Sequence, residues 1–194
     1  YGNWQKGLGK SLFDRRLGLY GYGRIAKRVA HYAQAFGVQV EWWGSADGCA
    51  RARSDGHKIA KNRASFFAEN DIVSVHVRLT PSTQGIISGD DLSGMKSDSL
   101  FVNTSRSGLL EPGALVNALD VGRPGTAAVD VFDQEPIIWR NDEIACHPRI
   151  IATPHIGFAT KEEFEMQFST VFDQIVSWKN RSPINMVNSC VWQS

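Results

Sequence analysis

The sequence predicts an α/β chain built on a doubly wound, mainly parallel sheet. Its short apolar runs are rich in Val, Ile, Leu and Phe and mostly do not alternate with polar residues, as expected of strands buried on both faces. Segments with helical spacing separate these runs, and strand–helix–strand repetition places helices on both sides of a parallel sheet. A pair of glycines, Gly21 and Gly23, stands where the first run gives way to the first helix.

The elements follow in order. Leu17–Tyr20 is the first strand, and Arg24–Phe36 is a helix stopped by Gly37 at its C′ position. Val38–Trp43 is the second strand. Ile72–Val77 is the third, with a turn containing Pro81 soon after. Leu100–Asn103 is the fourth. Glu111–Asp120 is a helix with Pro112 in its first turn, where a missing N–H costs nothing. Thr126–Val131 and Ile150–Ala152 complete the strands. From Thr160 the pattern changes: Thr160-Lys-Glu-Glu163 fits a capping box. Phe164, Phe168, Val171, Phe172, Ile175 and Trp178 then recur at spacings of three and four along one face of a long helix. The chain shows no internal repeat and no low-complexity segment.

Composition excludes several classes. The 194 residues suffice for one large domain, or for one domain and part of another, and 42% hydrophobic content supports a packed core. The 21 basic and 20 acidic residues give a net charge of +1, which argues against a nucleic-acid partner. Cys49, Cys146 and Cys190 are odd in number and widely spaced, so neither a disulfide framework nor a metal site is expected, and a cytoplasmic location is. No run approaches the roughly 20 apolar residues of a membrane span. The N-terminus lacks the apolar core of a signal peptide and opens on Tyr1 rather than Met, as expected of a segment that begins inside a longer protein.

Gly21-Tyr22-Gly23-Arg24-Ile25-Ala26 reads G-x-G-x-x-A between a strand and a helix, the context a dinucleotide-binding turn requires. Gly21 permits the tight turn, and Gly23 lets backbone approach a pyrophosphate without a Cβ between them. Ala26 is still small enough for close helix–strand packing. The helix N-terminus offers unpaired N–H groups and the positive end of its dipole. A glycine turn that binds nothing is the bland alternative. An acidic residue about 20 positions on would normally hold the ribose hydroxyls. Gly44 and Ser45 occupy that place and Asp47 comes late, so NAD and NADP both remain open. Arg51, Arg53, Lys58, Lys61 and Arg63 follow, either as a solvated surface or as a patch facing a phosphate.

Three further stretches end at strand C-termini, the edge where open α/β sheets bind ligands. Val102-Asn-Thr-Ser-Arg106-Ser-Gly108 presents an arginine able to grip a carboxylate through two parallel hydrogen bonds. Asp130 and Glu135 lie in Val129-Asp130-Val-Phe-Asp-Gln-Glu135-Pro136, and His155 in Thr153-Pro-His155-Ile-Gly157. Carboxylate and imidazole together suit proton transfer near neutral pH.

With GYGRIA, VSVHVRLTPSTQGII, LFVNTSRSG, AAVDVFDQEP and TPHIG in this order, the chain resembles the nucleotide-binding part of the D-isomer-specific 2-hydroxyacid dehydrogenases, from about Gly7 to Asn188. The resemblance implies a Rossmann-type domain over residues 1–155, of which 1–13 link to a preceding lobe. Residues 156–194 would form a C-terminal helix and tail returning to that substrate lobe. It implies catalytic roles for Arg106 (substrate binding), His155 (acid/base) and Glu135 (carboxylate partner of His155). It implies cofactor contacts at Gly21, Tyr22, Gly23, Arg24, Ile25, Ser45, His76, Val77, Thr83, Thr104, Ser105, Asp130 and Gly157, with NAD or NADP as cofactor. A small 2-oxo or 2-hydroxy acid would be the substrate, and the protein a homodimer. Departures from the family pattern are Ala26 for Gly, Arg78 for Pro, Ser107 for Gly and Phe158 for Gly. Two other readings use the same fold: a nucleotide-sensing module like the C-terminal-binding corepressors, and a formate-dehydrogenase-like member.

Overall fold

The computed structural model describes residues 9–138 and 142–192. The first eight residues of the linker expected at 1–13 lie outside them. The chain forms two compact units, residues 1–154 and 155–194.

In the first unit, β1 (Arg16–Tyr20), β2 (Gln39–Trp43), β3 (Ile72–Val75), β4 (Leu100–Asn103), β5 (Thr126–Val129) and β6 (Ile150–Ala152) form one sheet in the order β2-β1-β3-β4-β5-β6. Every pairing is parallel. Register aligns the strand ends: Tyr20 pairs with Trp43 and Val75, Val75 with Asn103, Asn103 with Val129, and Val129 with Ala152. This row is the C-terminal edge of the sheet. Strand order reverses between β1 and β3, which makes the crevice above them the natural ligand position.

Helices α1 (Arg24–Ala35), α2 (Ala46–Ser54), α3 (Arg63–Glu69), α4 (Gly89–Ser93) and α5 (Ala114–Asp120) accompany the sheet. Two apolar clusters form the core. Leu17, Leu19, Tyr22, Ala26, Ala30, Val38, Trp42 and Ala52 make one. The larger one gathers Tyr20, Phe66, Phe67, Val73, Val75, Phe101 and the buried faces of α4 and α5. Leu19 and Tyr20 are adjacent yet belong to different clusters, because successive strand side chains point to opposite faces. Apolar burial on both faces explains why these strands read as unbroken hydrophobic runs.

The structure corrects several boundaries. The expected strands through Val77 and Val131 stop at Val75 and Val129, where pairing ends and the edge loops begin. The helix expected from Glu111 begins at Ala114, because Gly113 adopts a left-handed φ of 73° that breaks the helical path and leaves Pro112 outside. The segment containing Arg51–Arg63 holds part of α2 and the start of α3. Asn62 and Ser88 cap α3 and α4 through reciprocal bonds with Ser65 and Asp91. In the second unit, α6 (Lys161–Lys179) is capped by Thr160, whose Oγ1 accepts the Glu163 N–H at 3.1 Å. No described helix is long and apolar enough to cross a membrane.

Arg63 ties three elements of the first unit. Its Nε and Nη2 donate to the Asp91 carboxylate at 2.7 and 2.5 Å, its Nη1 donates to Tyr20 Oη at 3.3 Å, and Nη2 also donates to the Ile86 carbonyl. Burial by itself pushes the Asp91 carboxyl up. The guanidinium and the Ser88 N–H and hydroxyl outweigh burial and hold it below the usual carboxylate range. A depressed folded-state pKa contributes stability that is complete above about pH 4 and is lost as pH falls further. Asp91→Asn should therefore cost about 2–3 kcal/mol near neutrality, toward the low end for a broken buried pair because the Arg63 side chain is 39% exposed. Urea unfolding at neutral and acidic pH should show that deficit shrinking as the wild type loses the same interaction.

Candidate functional site

Gly21 opens the turn between β1 and α1. Its N–H donates to the Trp43 carbonyl at 2.8 Å, and the neighbouring Tyr20 carbonyl accepts the His76 N–H at 2.8 Å. Its φ is 111°, and a Cβ there would lie 2.6 Å from the His76 carbonyl oxygen. No L side chain fits that position.

Gly23 is constrained differently. Its backbone is extended, and a Cβ there would meet nothing within 4 Å. It is the N-cap of α1 and supplies no side-chain cap, and the first helical bond runs from Lys27 N–H to its carbonyl at 3.0 Å. The first-turn N–H groups thus face open space at the positive end of a twelve-residue helix. This open cradle fits a pyrophosphate. Arg24 and Ile25 are exposed there, Ile25 at 73%, while Ala26 is fully buried beneath them. Tyr22 turns inward: its ring meets Trp42 edge-on at 4.7 Å, and its hydroxyl donates to Asp55. Only its backbone remains for a ligand. Burial, then Asp55, raises the Tyr22 pKa, and the Tyr22 and Lys27 hydrogen bonds depress that of Asp55.

At the end of β2, exposed Ser45 caps α2 by accepting the Gly48 N–H at 3.1 Å. Three of the five cations downstream pair with carboxylates: Arg51 with Asp47 at 3.1 Å, Lys58 with Glu41 at 3.0 Å, and Arg63 with Asp91.

The loops after β3 and β4 are joined. Ser105 Oγ donates to the Val77 carbonyl at 2.6 Å. His76 lies beside Gly21, with Nε2 3.0 Å from Ser74 Oγ, and burial pushes its pKa down. Thr83 sits farther along, where its Oγ1 donates to the Arg78 carbonyl at 2.7 Å and accepts the Thr80 N–H at 2.8 Å; its hydroxyl shapes the turn. Thr104 and Arg106 are exposed, and Arg106 Nη1 donates to the Ser105 carbonyl at 2.6 Å. Asn103 holds this loop and was not among the residues expected from sequence. It is 2% exposed, its Nδ2 donates to the Arg106 carbonyl at 2.9 Å, and its Oδ1 accepts the Ser105 N–H at 3.0 Å. An amide closing an otherwise apolar strand was the available signal.

Asp130 is buried past β5. Its N–H donates to the Asn103 carbonyl at 3.1 Å, and its Oδ1 accepts from Thr153 Oγ1 at 2.5 Å. Exposed Glu135 accepts the Phe132 N–H at 2.9 Å. The structure thus brings Gly21, His76, Val77, Ser105, Arg106 and Asp130 to one sheet edge. His155 and Gly157 belong to the second unit, where the half-buried His155 has a φ of 53° and meets Phe158 edge-on at 5.6 Å. No group of three or more His, Cys, Asp or Glu among the described residues is arranged to hold a metal ion.

A six-stranded parallel sheet with an uncapped glycine turn at its switch point defines a dinucleotide-binding α/β domain. Residues 1–157 match the NAD-binding domain of the D-isomer-specific 2-hydroxyacid dehydrogenases, and the chain belongs to that family. Membership bears out the expected fold and a nicotinamide dinucleotide, NAD or NADP, as cofactor. The chain is 31% identical over 206 residues to a glyoxylate reductase from Thermococcus litoralis, covering all of this chain and 60% of that protein. It is 36% identical over 167 residues to a hydroxypyruvate reductase from Thermotoga maritima, covering 83% of this chain and 52% of that protein. A solved candidate D-3-phosphoglycerate dehydrogenase from Ralstonia solanacearum superposes with a TM-score of 0.91 at 40% identity, covering 97% of this chain and 55% of that one. The chain therefore spans little more than half the length of these relatives.

The two glycines should respond oppositely to substitution. Gly23→Val should cost at most about 1 kcal/mol of stability, because valine is a poorer N-cap than glycine, and weaken dinucleotide binding at least tenfold, about 1.4 kcal/mol, by placing a side chain in the cradle. Gly21→Ala should lower stability by about 1–3 kcal/mol for its φ alone, with the His76 clash added. Calorimetric titration and thermal melts of both variants check this.

Proposed function

We propose that this chain is the cofactor-binding part of an NAD(P)-dependent oxidoreductase that interconverts a 2-oxo acid and a D-2-hydroxy acid. Arg106 carries the reading. It is exposed just past the end of β4, has no carboxylate partner among the described residues, and stands on a loop fixed by Asn103 and Ser105. Such a guanidinium is available to the carboxylate of an incoming acid and to the carbonyl oxygen beside it.

A bound nicotinamide dinucleotide supplies the hydride that adds to C2 of the oxo acid. Arg106 orients the substrate and stabilises the negative charge that grows on the C2 oxygen. His155 gives that oxygen a proton, so the product is the 2-hydroxy acid. Glu135 supplies the anion that favours the imidazolium. The α1 N-terminus and the Gly23 cradle would hold the pyrophosphate, and buried Asp130 would hold the nicotinamide end.

The end of β2 carries no carboxylate to repel a 2′-phosphate, because Gly44 and Ser45 stand there. Of the basic residues that follow, Arg51, Lys58 and Arg63 pair with acids, while exposed Arg53 and Lys61 have no carboxylate partner among the described residues, so a 2′-phosphate meets no repulsion there. Both dinucleotides should therefore bind within about a thousandfold of each other, roughly 4 kcal/mol. Parallel titrations with NADH and NADPH measure the ratio, and a larger preference for either would show a discriminating group elsewhere.

The catalytic roles are tested in the product of the complete reading frame. His155→Ala should abolish most turnover with a panel of 2-oxo acids while cofactor binding persists. Glu135→Gln should act more mildly, lowering kcat while cofactor binding persists. Unchanged turnover in Glu135→Gln would remove Glu135 from this role. Tight NADH binding with no turnover of any oxo acid would instead favour a nucleotide-sensing module.

A further inference from the structure

Arg78 stands on the loop beside the one that carries Arg106. The loops after β3 and β4 run side by side: Ser105 Oγ donates to the Val77 carbonyl at 2.6 Å, and the Leu79 side chain lies 3.1 Å from where a Cβ on Gly108 would sit. Arg78 falls between Val77 and Leu79, and Arg106 between Ser105 and Gly108. Its backbone is pinned, since Thr83 Oγ1 donates to the Arg78 carbonyl at 2.7 Å. Its side chain is exposed and has no hydrogen bond or ion pair among the described residues. Among the described residues, Arg106 reaches only the Ser105 carbonyl. Elsewhere in the first unit Arg15, Arg16, Arg51 and Arg63 each engage a carboxylate, Arg123 and Arg149 each donate to a backbone carbonyl, and Arg24, Arg28 and Arg53 have no carboxylate partner among the described residues, so it is the shared place of Arg78 and Arg106 on adjoining loops that sets them apart. Two guanidiniums on adjoining, tethered loops, neither neutralised by an acid, form a positive edge suited to two anionic groups on one small molecule.

We propose that Arg78 is a specificity-determining residue that selects 2-oxo acids bearing a second anionic group, a carboxylate or a phosphate, beyond C2. The proposal rests on the dehydrogenase reading above. Arg106 takes the C1 carboxylate, and Arg78 takes the distal anion without touching the reacting atoms.

The test is steady-state reduction by the product of the complete reading frame, wild type and Arg78→Gln. Two matched substrate pairs are used: pyruvate with oxaloacetate, and hydroxypyruvate with its 3-phosphate. The pairs distinguish a distal carboxylate from a distal phosphate. Arg78→Gln should reduce kcat/KM for at least one member with a distal anionic group by about tenfold or more, chiefly through KM, and change its mate without that group less than about twofold. Arg78→Lys should restore part of the loss. Because the side chain is solvated, thermal stability should not move. Equal losses within both pairs, unchanged kinetics, or a loss that appears as weaker NAD(P)H binding would overturn the proposal while leaving the dehydrogenase reading standing. Absence of turnover with every acid would overturn both.

Discussion

The contact between Gly21 and the His76 carbonyl is the constraint around which the first unit is arranged. A backbone turn and a neighbouring strand end approach so closely that a single Cβ would lie 2.6 Å from a carbonyl oxygen. Two backbone bonds fix the approach, from Gly21 to Trp43 and from His76 to Tyr20, so the ends of β2, β1 and β3 are stitched at one point. From that point α1 leaves with its N-terminus uncovered. Parallel pairing from β3 to β6 then carries the same edge outward, bringing Asn103, Asp130 and Thr153 into one polar row above an apolar sheet.

Charge is divided between scaffold and edge. Below the edge, several cations are matched: Arg63 with Asp91, Lys58 and Arg16 with the buried Glu41, Lys96 with Asp71. A buried carboxylate without such partners would be strongly destabilising. At the edge, Arg24, Arg78 and Arg106 have no carboxylate partner among the described residues. An unpaired guanidinium in water costs little, and it binds an arriving anion without first breaking an internal pair.

The strands, α1 and the glycine turn were legible because their signals are local. Unbroken apolar runs mark strands buried on both faces, and G-x-G-x-x-A marks a turn whose chemistry lies in what glycine lacks. Helices α3 and α4, at seven and five residues, are too short for periodicity to show, and only their caps, Asn62 with Ser65 and Ser88 with Asp91, betray them. The start of α5 was misplaced because Pro112 suits a first helical turn equally well, and the positive φ of Gly113 that decides the matter is a tertiary outcome. At the site, Arg106 stood out by its charge. Asn103 did not, because its function is to bond two backbone groups that become neighbours only when the loop is folded. The inward turn of Tyr22 was hidden for the same reason, since Trp42 and Asp55 meet it from other elements.

Strand order has a kinetic consequence. β1 lies between β2 and β3, so the glycine turn is complete only when His76, far along the chain, arrives beside it. Local events can form α1 and the β1–β2 pair, but the second wall of the cradle needs loop closure across α2 and α3. Parallel pairing of this kind is intrinsically slow compared with helix formation. A chain still emerging during synthesis therefore holds the glycine motif long before it holds the binding site. Nascent chains ending before β3 would carry the nucleotide fingerprint in their sequence without the cradle in their structure.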